Sequence, residues 1–263
     1  MPRLFDPELR AARRDRAARK GADLFLYDRA FTDCLERIEL MQRRFSSALL
    51  IGAPTPDWAK RLRSFADVIE VRDPGPLFAS AAGGSTIQED SWTAESAYDL
   101  VVAVGTMDTV DDLPRAFRSI AHALTSEGVL IGALSGGETL PRLRAAMRGA
   151  DEVAGEALPH VHPRIEASAL AALLAAAGLV NPVVDVDRVP VAYRSFQQLV
   201  DDLRAMGATN ILDARSRKPM TRSSREAAIM AFAQGAEGER TVETFEILHF
   251  AAWAAQQASV KQQ

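Results

Sequence analysis

The chain has 263 residues, 48 % of them hydrophobic and 25 % charged, with a formal net charge of −4 and a pI near 5.7. This composition is typical of a globular protein, and the acidic balance argues against a nucleic-acid surface as the main partner. We expect no membrane span, because no apolar run approaches the roughly 20 residues required, and no secretory signal. The one cysteine, Cys34, excludes an internal disulfide and favours a cytoplasmic, reducing compartment.

Residues 1–45 predict helices that precede the sheet. The first of these helices is strongly basic, although acidic residues interrupt it. Mixed charges along a helix favour a solvated face over a contact surface or a targeting peptide. We therefore expect solvent exposure for the basic side chains of this stretch, which are Arg10, Arg13, Arg14, Arg16, Arg19 and Lys20.

Short apolar runs alternate with helical periodicity from residue 46 onward. The clearest unit begins with the apolar run Leu100–Val104, continues through a helix, and ends with the run Val129–Leu134. Gly128 is expected to take a positive φ at the end of that helix. Strands that alternate with helices indicate a doubly wound α/β fold, whose ligands lie at the carboxyl ends of the parallel strands. The other predicted strands are residues 48–52, 67–71, 86–88, 183–189 and 242–253.

The chain divides into four predicted parts. Residues 1–45 form an N-terminal helical segment and residues 46–192 form the core. Residues 193–237 form a helical insertion before the last strand, and residues 238–263 hold that strand and a polar tail. The insertion is a candidate lid over the carboxyl ends of the strands.

Three stretches carry a resemblance to a known family. They are Phe5-Asp6 with residues 13–18, residues 134–140 with Leu143-Arg144, and Tyr193-Arg194 with residues 203–210. Together with the order of strands and helices, they resemble the class I S-adenosylmethionine-dependent methyltransferases. Within that class, they are most similar to the branch of the biotin-synthesis malonyl-carrier methyltransferase and mitochondrial complex I assembly factor 5. The resemblance implies a Rossmann-like, doubly wound, seven-stranded sheet with N-terminal helices and a helical lid inserted before the last strand.

The resemblance also implies a site for S-adenosylmethionine at the carboxyl ends of the first four strands. Asp73 stands for the acid that binds the ribose hydroxyls, although Arg72 occupies the aligned position. Asp90 stands for the acid that binds the adenine amino group. The positions that the resemblance assigns to the cofactor are Gly52, Ala53, Asp73, Asp90, Ser91, Val104 and Gly105.

The loop after the first strand departs from the family pattern. That strand normally ends in an acid and a Gly-x-Gly-x-Gly loop, whereas here Leu50 replaces the acid and only Gly52 remains of the glycines. Pro54 and Pro56 stand in the loop, and proline lacks an N–H and has a fixed φ. A working cofactor loop and a plain strand-to-helix turn are both compatible with this sequence.

The helical insertion supplies candidate contacts to a substrate or partner, namely Tyr193, Arg194 and Arg204, with packing or solvated charge as the alternative roles. No residue is assigned a catalytic role, because methyl transfer requires alignment and water exclusion more than a base. We predict no metal site, because His160 and His162 form the only close histidine pair and no His-x-Asp or His-x-Glu spacing occurs.

Two functions of different classes follow from these observations. The first is an S-adenosylmethionine-dependent methyltransferase with a degenerate cofactor loop, acting on a small or carrier-bound acid. The alternative is a non-methylating assembly factor for a respiratory complex, which binds a protein subunit; the mitochondrial branch also implies arginine hydroxylation. An NADP-dependent oxidoreductase ranks last, since no Gly-x-Gly-x-x-Gly follows a strand.

Overall fold

The structure, a computed structural model, describes residues 3–255, so part of the predicted C-terminal tail lies outside the described residues. Nine α-helices and eight strands follow one another in these residues. The helices are α1 (Pro7–Lys20), α2 (Phe25–Leu40), α3 (Pro56–Leu62), α4 (Pro76–Ala81), α5 (Leu113–Ala123), α6 (Pro141–Ala154), α7 (Ala167–Ala176), α8 (Phe196–Ala205) and α9 (Arg222–Ala233). The strands are β1 (Phe45–Ile51), β2 (Ala66–Asp73), β3 (Ser85–Thr86), β4 (Tyr98–Val104), β5 (Leu124–Ser135), β6 (Leu179–Tyr193), β7 (Ala236–Glu237) and β8 (Arg240–Ala254).

Seven strands form one mixed sheet in the order β3-β2-β1-β4-β5-β8-β6, and the short β7 pairs back onto β8. The first five strands of this order are parallel, whereas β8 runs antiparallel to both β5 and β6. The direction of the strand order reverses between β1 and β4. Ligands of doubly wound sheets bind at such a reversal, outside the carboxyl ends of the strands. The predicted seven-stranded, Rossmann-like fold is confirmed.

The two faces of the sheet are covered by different helices. Leu50 and Val102 point to a core formed with α2, α3, α6, α8 and α9. Leu49 and Val101 point to the opposite core, formed with α5 and α7. Because neighbouring residues of a strand face opposite sides, burial on both faces explains why β1 and β4 read as unbroken apolar runs.

The start of β5 differs from the prediction. The helix ends at Ala123 and β5 begins at Leu124, and the residue with a positive φ in the irregular first part of this strand is Glu127, at 65°, rather than Gly128. At position 128 a side chain would be too close to its neighbours, because a Cβ there would lie 2.9 Å from the carbonyl oxygen of Thr125. A second difference is the short helix α4, which was not predicted; it begins at Pro76, and proline is well tolerated at the first position of a helix.

The N-terminal segment and the helical insertion lie against each other. The backbone N–H of Asp6 donates to the carbonyl of Ile211 at 2.9 Å, and the N–H of Asp213 donates to the carbonyl of Leu4 at 3.0 Å. Gly207 follows α8 with a φ of +71°, and a Cβ on it would lie 3.2 Å from the Cα of Arg14. The end of α8 therefore packs directly on the backbone of α1.

Candidate functional site

The carboxyl ends of β1, β2 and β4 lie side by side in a region that we call the crevice, and its floor is formed by Gly52 and Gly105, which directly follow β1 and β4. Gly52 has a φ of +82°, and a Cβ there would overlap the carbonyl oxygen of Val104. Gly105 has a φ of +67°, and a Cβ there would lie 2.7 Å from the ring of Tyr27. Both positions require glycine, because they combine a left-handed backbone with a close neighbour.

The carboxylate of Asp73 ends β2 inside this crevice and is fully buried. It accepts hydrogen bonds from Nε of Arg14 at 2.8 Å and from Nη2 of Arg14 at 2.5 Å. The backbone N–H of Gly75 donates to the same carboxylate at 2.7 Å. Burial alone would lower the pKa of Arg14, but the charge and hydrogen bonds of Asp73 outweigh it and raise that pKa. Asp73 thus holds a charged guanidinium through two parallel hydrogen bonds.

A second arginine–carboxylate pair stands beside the first. The Nη1 and Nη2 atoms of Arg10 donate to the two carboxylate oxygens of Glu89, each at 2.8 Å. Nη2 of Arg10 also donates to the carbonyl of Thr106 at 2.6 Å, directly beyond the end of β4. Glu89 is only 2 % exposed, so the pair is closed off from solvent.

The expected solvent exposure of the basic helix is wrong for Arg10 and Arg14, which are buried in α1 together with Ala17. These residues are spaced four and three apart, so they share one face of the helix. That face lies on the crevice, and the guanidinium of Arg14 also lies 5.2 Å from the ring centre of Phe78. The spacing of Arg10, Arg14 and Ala17 could have indicated a buried face of α1. The number of charges along a helix does not distinguish its buried face from its exposed face.

The structure brings most of the predicted cofactor residues to the crevice. Gly52, Ala53 and Val104 are buried around it with Asp73, and Gly105 lies on its floor. The loop acids are placed differently from the expectation. Glu89 faces the crevice, whereas the carboxylate of Asp90 faces the N–H of Asp112 at 3.4 Å, and Ser91 is exposed. Because Glu89 and Asp90 are adjacent in an irregular loop, strand periodicity could not decide which of them points inward.

The loop after β1 forms an ordered start to α3. The hydroxyl oxygen of Thr55 accepts a hydrogen bond from the N–H of Asp57 at 3.3 Å, and Pro56 occupies the first turn of the helix. Threonine followed by proline is a favourable helix N-terminus. Leu50, at the position of the family's acid, is fully buried in the core of the sheet. Thr55 and Pro56 thus define the start of α3.

A small inner cavity opens next to the crevice, under α2 and α8. Its walls are mostly apolar and include Leu26, Leu203 and Phe245. Arg164 is its buried cation, with a side chain 6 % exposed, and it pairs with Asp108. Burial lowers the pKa of Arg164 to about 10, still well above neutrality, so the guanidinium stays charged.

Arg164 links the inner cavity to the surface. Its Nε is buried and has no hydrogen-bond partner among residues 3–255. Arg164 and Leu203 also line a second, outer groove, which runs between α6 and α8 and holds Arg204 and Arg225. The two spaces share these walls, so a ligand chain entering from the groove would meet a buried cation.

His162 fastens the loop that follows α8. Its Nε2 accepts a hydrogen bond from the N–H of Ile211 at 3.0 Å, and the ring of Phe5 packs edge-on at 5.3 Å. Burial, together with the charge of Arg144, lowers the pKa of His162 to about 4. The imidazole is therefore neutral near pH 7, which its role as a hydrogen-bond acceptor requires.

The three predicted partner contacts fall in different environments. Arg194 is exposed, and Arg204 is exposed at the outer groove, where it pairs with Asp201 at 3.0 Å. The prediction for Tyr193 is corrected, because this side chain is 1 % exposed and packs in the core. Strand β6 extends to Tyr193 and turns its last side chain inward, so the residue offers no surface to a partner.

Across the part of the chain that the structure describes, no three His, Cys, Asp or Glu side chains come together as a metal site. His160 instead pairs with Asp151 at 2.7 Å. No helix between residues 3 and 255 combines the length and apolar character needed to cross a membrane.

Comparison with solved structures defines the class of fold. The YcgJ protein of Bacillus subtilis superposes with a TM-score of 0.59 and 13 % identity, covering 85 % of this chain and 98 % of that chain. Phosphoethanolamine N-methyltransferase 2 of Haemonchus contortus, in complex with S-adenosyl-L-methionine, superposes with a TM-score of 0.51 and 12 % identity. That match covers 86 % of this chain and 52 % of the other. The fold is that of the class I S-adenosylmethionine-dependent methyltransferases.

Sequence comparison identifies two groups of homologues within this class. The mitochondrial arginine-hydroxylase NDUFAF5 of Mus musculus is 29 % identical over 268 residues, covering 95 % of this chain and 77 % of the relative. NDUFAF5 of Danio rerio is 35 % identical over 171 residues, which are 64 % of this chain and 53 % of the relative. The malonyl-[acyl-carrier protein] O-methyltransferase of Xylella fastidiosa is 31 % identical over 163 residues, which are 61 % of this chain and 53 % of the relative.

The chain is thus a homologue of the NDUFAF5 arginine-hydroxylases and of the malonyl-[acyl-carrier protein] O-methyltransferases, and the resemblance read from the sequence is confirmed. No model of a protein family matches the sequence. The chain spans only about half of the length of the Danio rerio and Xylella fastidiosa relatives.

Proposed function

We propose that this chain is a non-methylating binding protein on the methyltransferase fold, and that it assists the assembly of a respiratory complex. The main support is the state of the crevice. Both acids that face it, Asp73 and Glu89, are held by guanidinium groups of the chain itself. A buried acid already satisfied by an arginine gains little by accepting hydrogen bonds from a ribose or an adenine.

The conformation in the structure does not fit a bound S-adenosylmethionine. Arg14 and Arg10 occupy the carboxylates that a nucleoside would use, and the ring of Tyr27 lies against Gly105. Pro54 also removes an N–H from the loop after β1. We therefore assign no step of a reaction to that cofactor in this state of the protein.

The surface that would take the partner is the outer groove with its neighbouring cations. Arg204 and Arg225 stand at the groove, and Arg217 and Lys218 are exposed on the loop before α9. Arginine suits recognition of carboxylates, because its planar group donates two parallel hydrogen bonds. An acidic segment of a respiratory-complex subunit is the partner that this surface fits, in keeping with the NDUFAF5 homologues.

The second candidate is a methyltransferase that acts on a small or carrier-bound acid. Two observations favour it: Asp73 and Glu89 lie at the crevice, and Arg164 offers a buried cation to a carboxylate in the inner cavity. The malonyl-carrier homologues agree with this candidate. It requires α1 to leave the crevice before the cofactor binds.

Calorimetric titration with S-adenosylmethionine and S-adenosylhomocysteine separates the two candidates. The binding-protein proposal predicts no saturable heat at millimolar ligand from folded wild-type protein. Saturable binding at micromolar ligand would overturn it in favour of the methyltransferase.

The assembly role has a separate test in human cells that lack NDUFAF5. Expression of this chain with a mitochondrial targeting sequence is expected to restore assembled complex I, and replacement of Arg204 and Arg225 by Glu is expected to abolish the rescue. Arg19→Glu provides the control, since Arg19 is exposed on α1 and away from the groove. Failure of the wild-type chain to rescue, although it is expressed and folded, would contradict the assembly role.

A further inference from the structure

We propose that α1 is a tethered ligand that competes with nucleosides for the crevice, and that the loop after α8 holds it in place. Release of α1 and opening of the lid are then one event. The inference goes beyond the proposed function, because it concerns how the crevice is kept closed rather than which partner the chain binds.

The first support is that α1 donates a hydrogen bond to every carboxylate oxygen of the two crevice acids. Oδ1 of Asp73 accepts from both Arg14 and Gly75, and Oδ2 accepts from Arg14. Each oxygen of Glu89 accepts from Arg10. A ribose diol or an adenine amino group needs these same oxygens, so α1 and a nucleoside exclude each other.

The second support is the hold that the lid has on the N-terminal arm, residues 4–6. This arm pairs with residues 211–213 through two backbone hydrogen bonds of 2.9 and 3.0 Å. Arg215 adds an ion pair to Asp6 at 3.1 Å. Phe5 is buried in a small apolar cluster with Ile211 and Leu212.

The arm is fixed from its other side as well. The carboxylate of Asp111 accepts the N–H groups of Leu4 and Phe5 at 2.9 and 2.7 Å. The arm therefore lies between the loop before α5 and the lid loop. Helix α1 follows immediately, since Asp6 caps it by accepting the N–H of Leu9 at 2.9 Å.

The third support is the contact between the end of α8 and α1. Gly207 has only its hydrogen atoms to place against Arg14, whose Cα would lie 3.2 Å from an added Cβ. Gly207 therefore packs against Arg14, the residue of α1 that donates to Asp73. Movement of α1 away from Asp73 requires residues 207–213 to move as well.

The test is a calorimetric titration of Arg14→Ala with S-adenosylhomocysteine and with adenosine. Arg14→Ala removes the guanidinium from Asp73 and opens space beside it. The matched control is Arg19→Ala, which removes the same charge from an exposed position of the same helix. We expect saturable binding by Arg14→Ala, at least about tenfold tighter than any signal from wild type or Arg19→Ala, which corresponds to about 1.4 kcal/mol.

Circular dichroism must show that Arg14→Ala is folded. The double variant Asp6→Asn/Arg215→Ala provides a second test, which leaves the crevice acids and arginines in place. Hydrogen exchange of that double variant is expected to accelerate together in residues 7–20 and in residues 207–213.

Three results would overturn the inference. One is a folded Arg14→Ala protein that binds neither probe, and another is wild-type binding as tight as that of the variant. The third is faster exchange in the lid loop of the double variant while α1 keeps its protection. The first result leaves the non-methylating proposal intact, whereas wild-type binding contradicts both.

Discussion

The buried pair of Arg14 and Asp73 makes the sharpest prediction about stability. Both side chains are almost inaccessible, at 6 % and 0 % exposure. Arg14→Met keeps an aliphatic stem beside Phe78 but leaves the carboxylate of Asp73 with only the N–H of Gly75 as a close donor. Removing one partner of a buried ion pair costs about 3–5 kcal/mol, because the remaining charge is uncompensated.

The double variant Arg14→Met/Asp73→Leu completes a thermodynamic cycle. Replacing both charges by apolar groups removes the uncompensated charge, so we expect the double variant to lose much less stability than Arg14→Met alone. The control cycle uses Arg222 and Glu226 on α9, whose side chains are 92 % and 59 % exposed. An exposed pair spaced four residues apart contributes about 0.3–0.5 kcal/mol.

The assay for both cycles is urea unfolding followed by tryptophan fluorescence. Trp58 reports on the core, since it is fully buried and stacks on Phe31 at 4.3 Å. The free energy of unfolding and its dependence on urea give the coupling energy within each pair. A cost below about 1 kcal/mol for Arg14→Met, similar to that of an exposed pair, would refute the burial and geometry on which the crevice argument rests.

Three further predictions concern His162, Gly207 and Pro54. The pKa of His162 is lowered from 6.5 to about 4, so the unfolded chain binds the proton first and stability falls as pH drops from 6.5 to 4. The full loss is about 3 kcal/mol. Unfolding measured at several pH values should show that the free energy of unfolding depends less steeply on pH in His162→Gln than in the wild type. Gly207→Ala should lose more stability than Gly155→Ala, which shares a positive φ of about 70° but meets no atom within 4 Å; equal losses would contradict the contact with α1. Pro54→Gly alone should leave calorimetric titrations with S-adenosylhomocysteine silent, because Arg14 still holds Asp73; restored binding would place the defect in the loop instead.

The sheet could be predicted from the sequence because burial on both faces leaves a direct mark on a strand. The apolar runs at β1, β4 and β5 give the strands, and the helices between them fix the doubly wound topology. Most of the errors lie at the ends of elements, although the short elements α4 and β7 were not predicted. The start of β5 shows why, since Glu127 rather than Gly128 takes the positive φ while Val129 still pairs with Leu100 of β4.

The contents of the crevice could not be predicted in the same way. Arg14 and Asp73 are 59 residues apart in sequence, and Arg10 and Glu89 are 79 apart. Local charge patterning therefore suggests a solvated helix, and only the tertiary structure reveals the partners. Glu89 and Asp90 are adjacent in an irregular loop, where no periodicity predicts which of the two side chains points toward the crevice.

The position of the candidate lid in the chain was predicted, but its contacts with residues 4–6 were not. Helices α8 and α9 lie where the insertion was expected. Their connection to residues 4–6 depends on backbone hydrogen bonds, which any sequence could make, and on the neutral ring of His162. Residue types alone carry no signal of such pairing.

A crystal structure of the wild-type protein grown with excess S-adenosylhomocysteine tests the central claim most directly. We expect that Arg14 stays within hydrogen-bond distance of both oxygens of Asp73, that Arg10 stays on Glu89, and that no nucleoside density lies between them. Ribose hydroxyls on Asp73, with α1 displaced from the ends of β1 and β2, would contradict it.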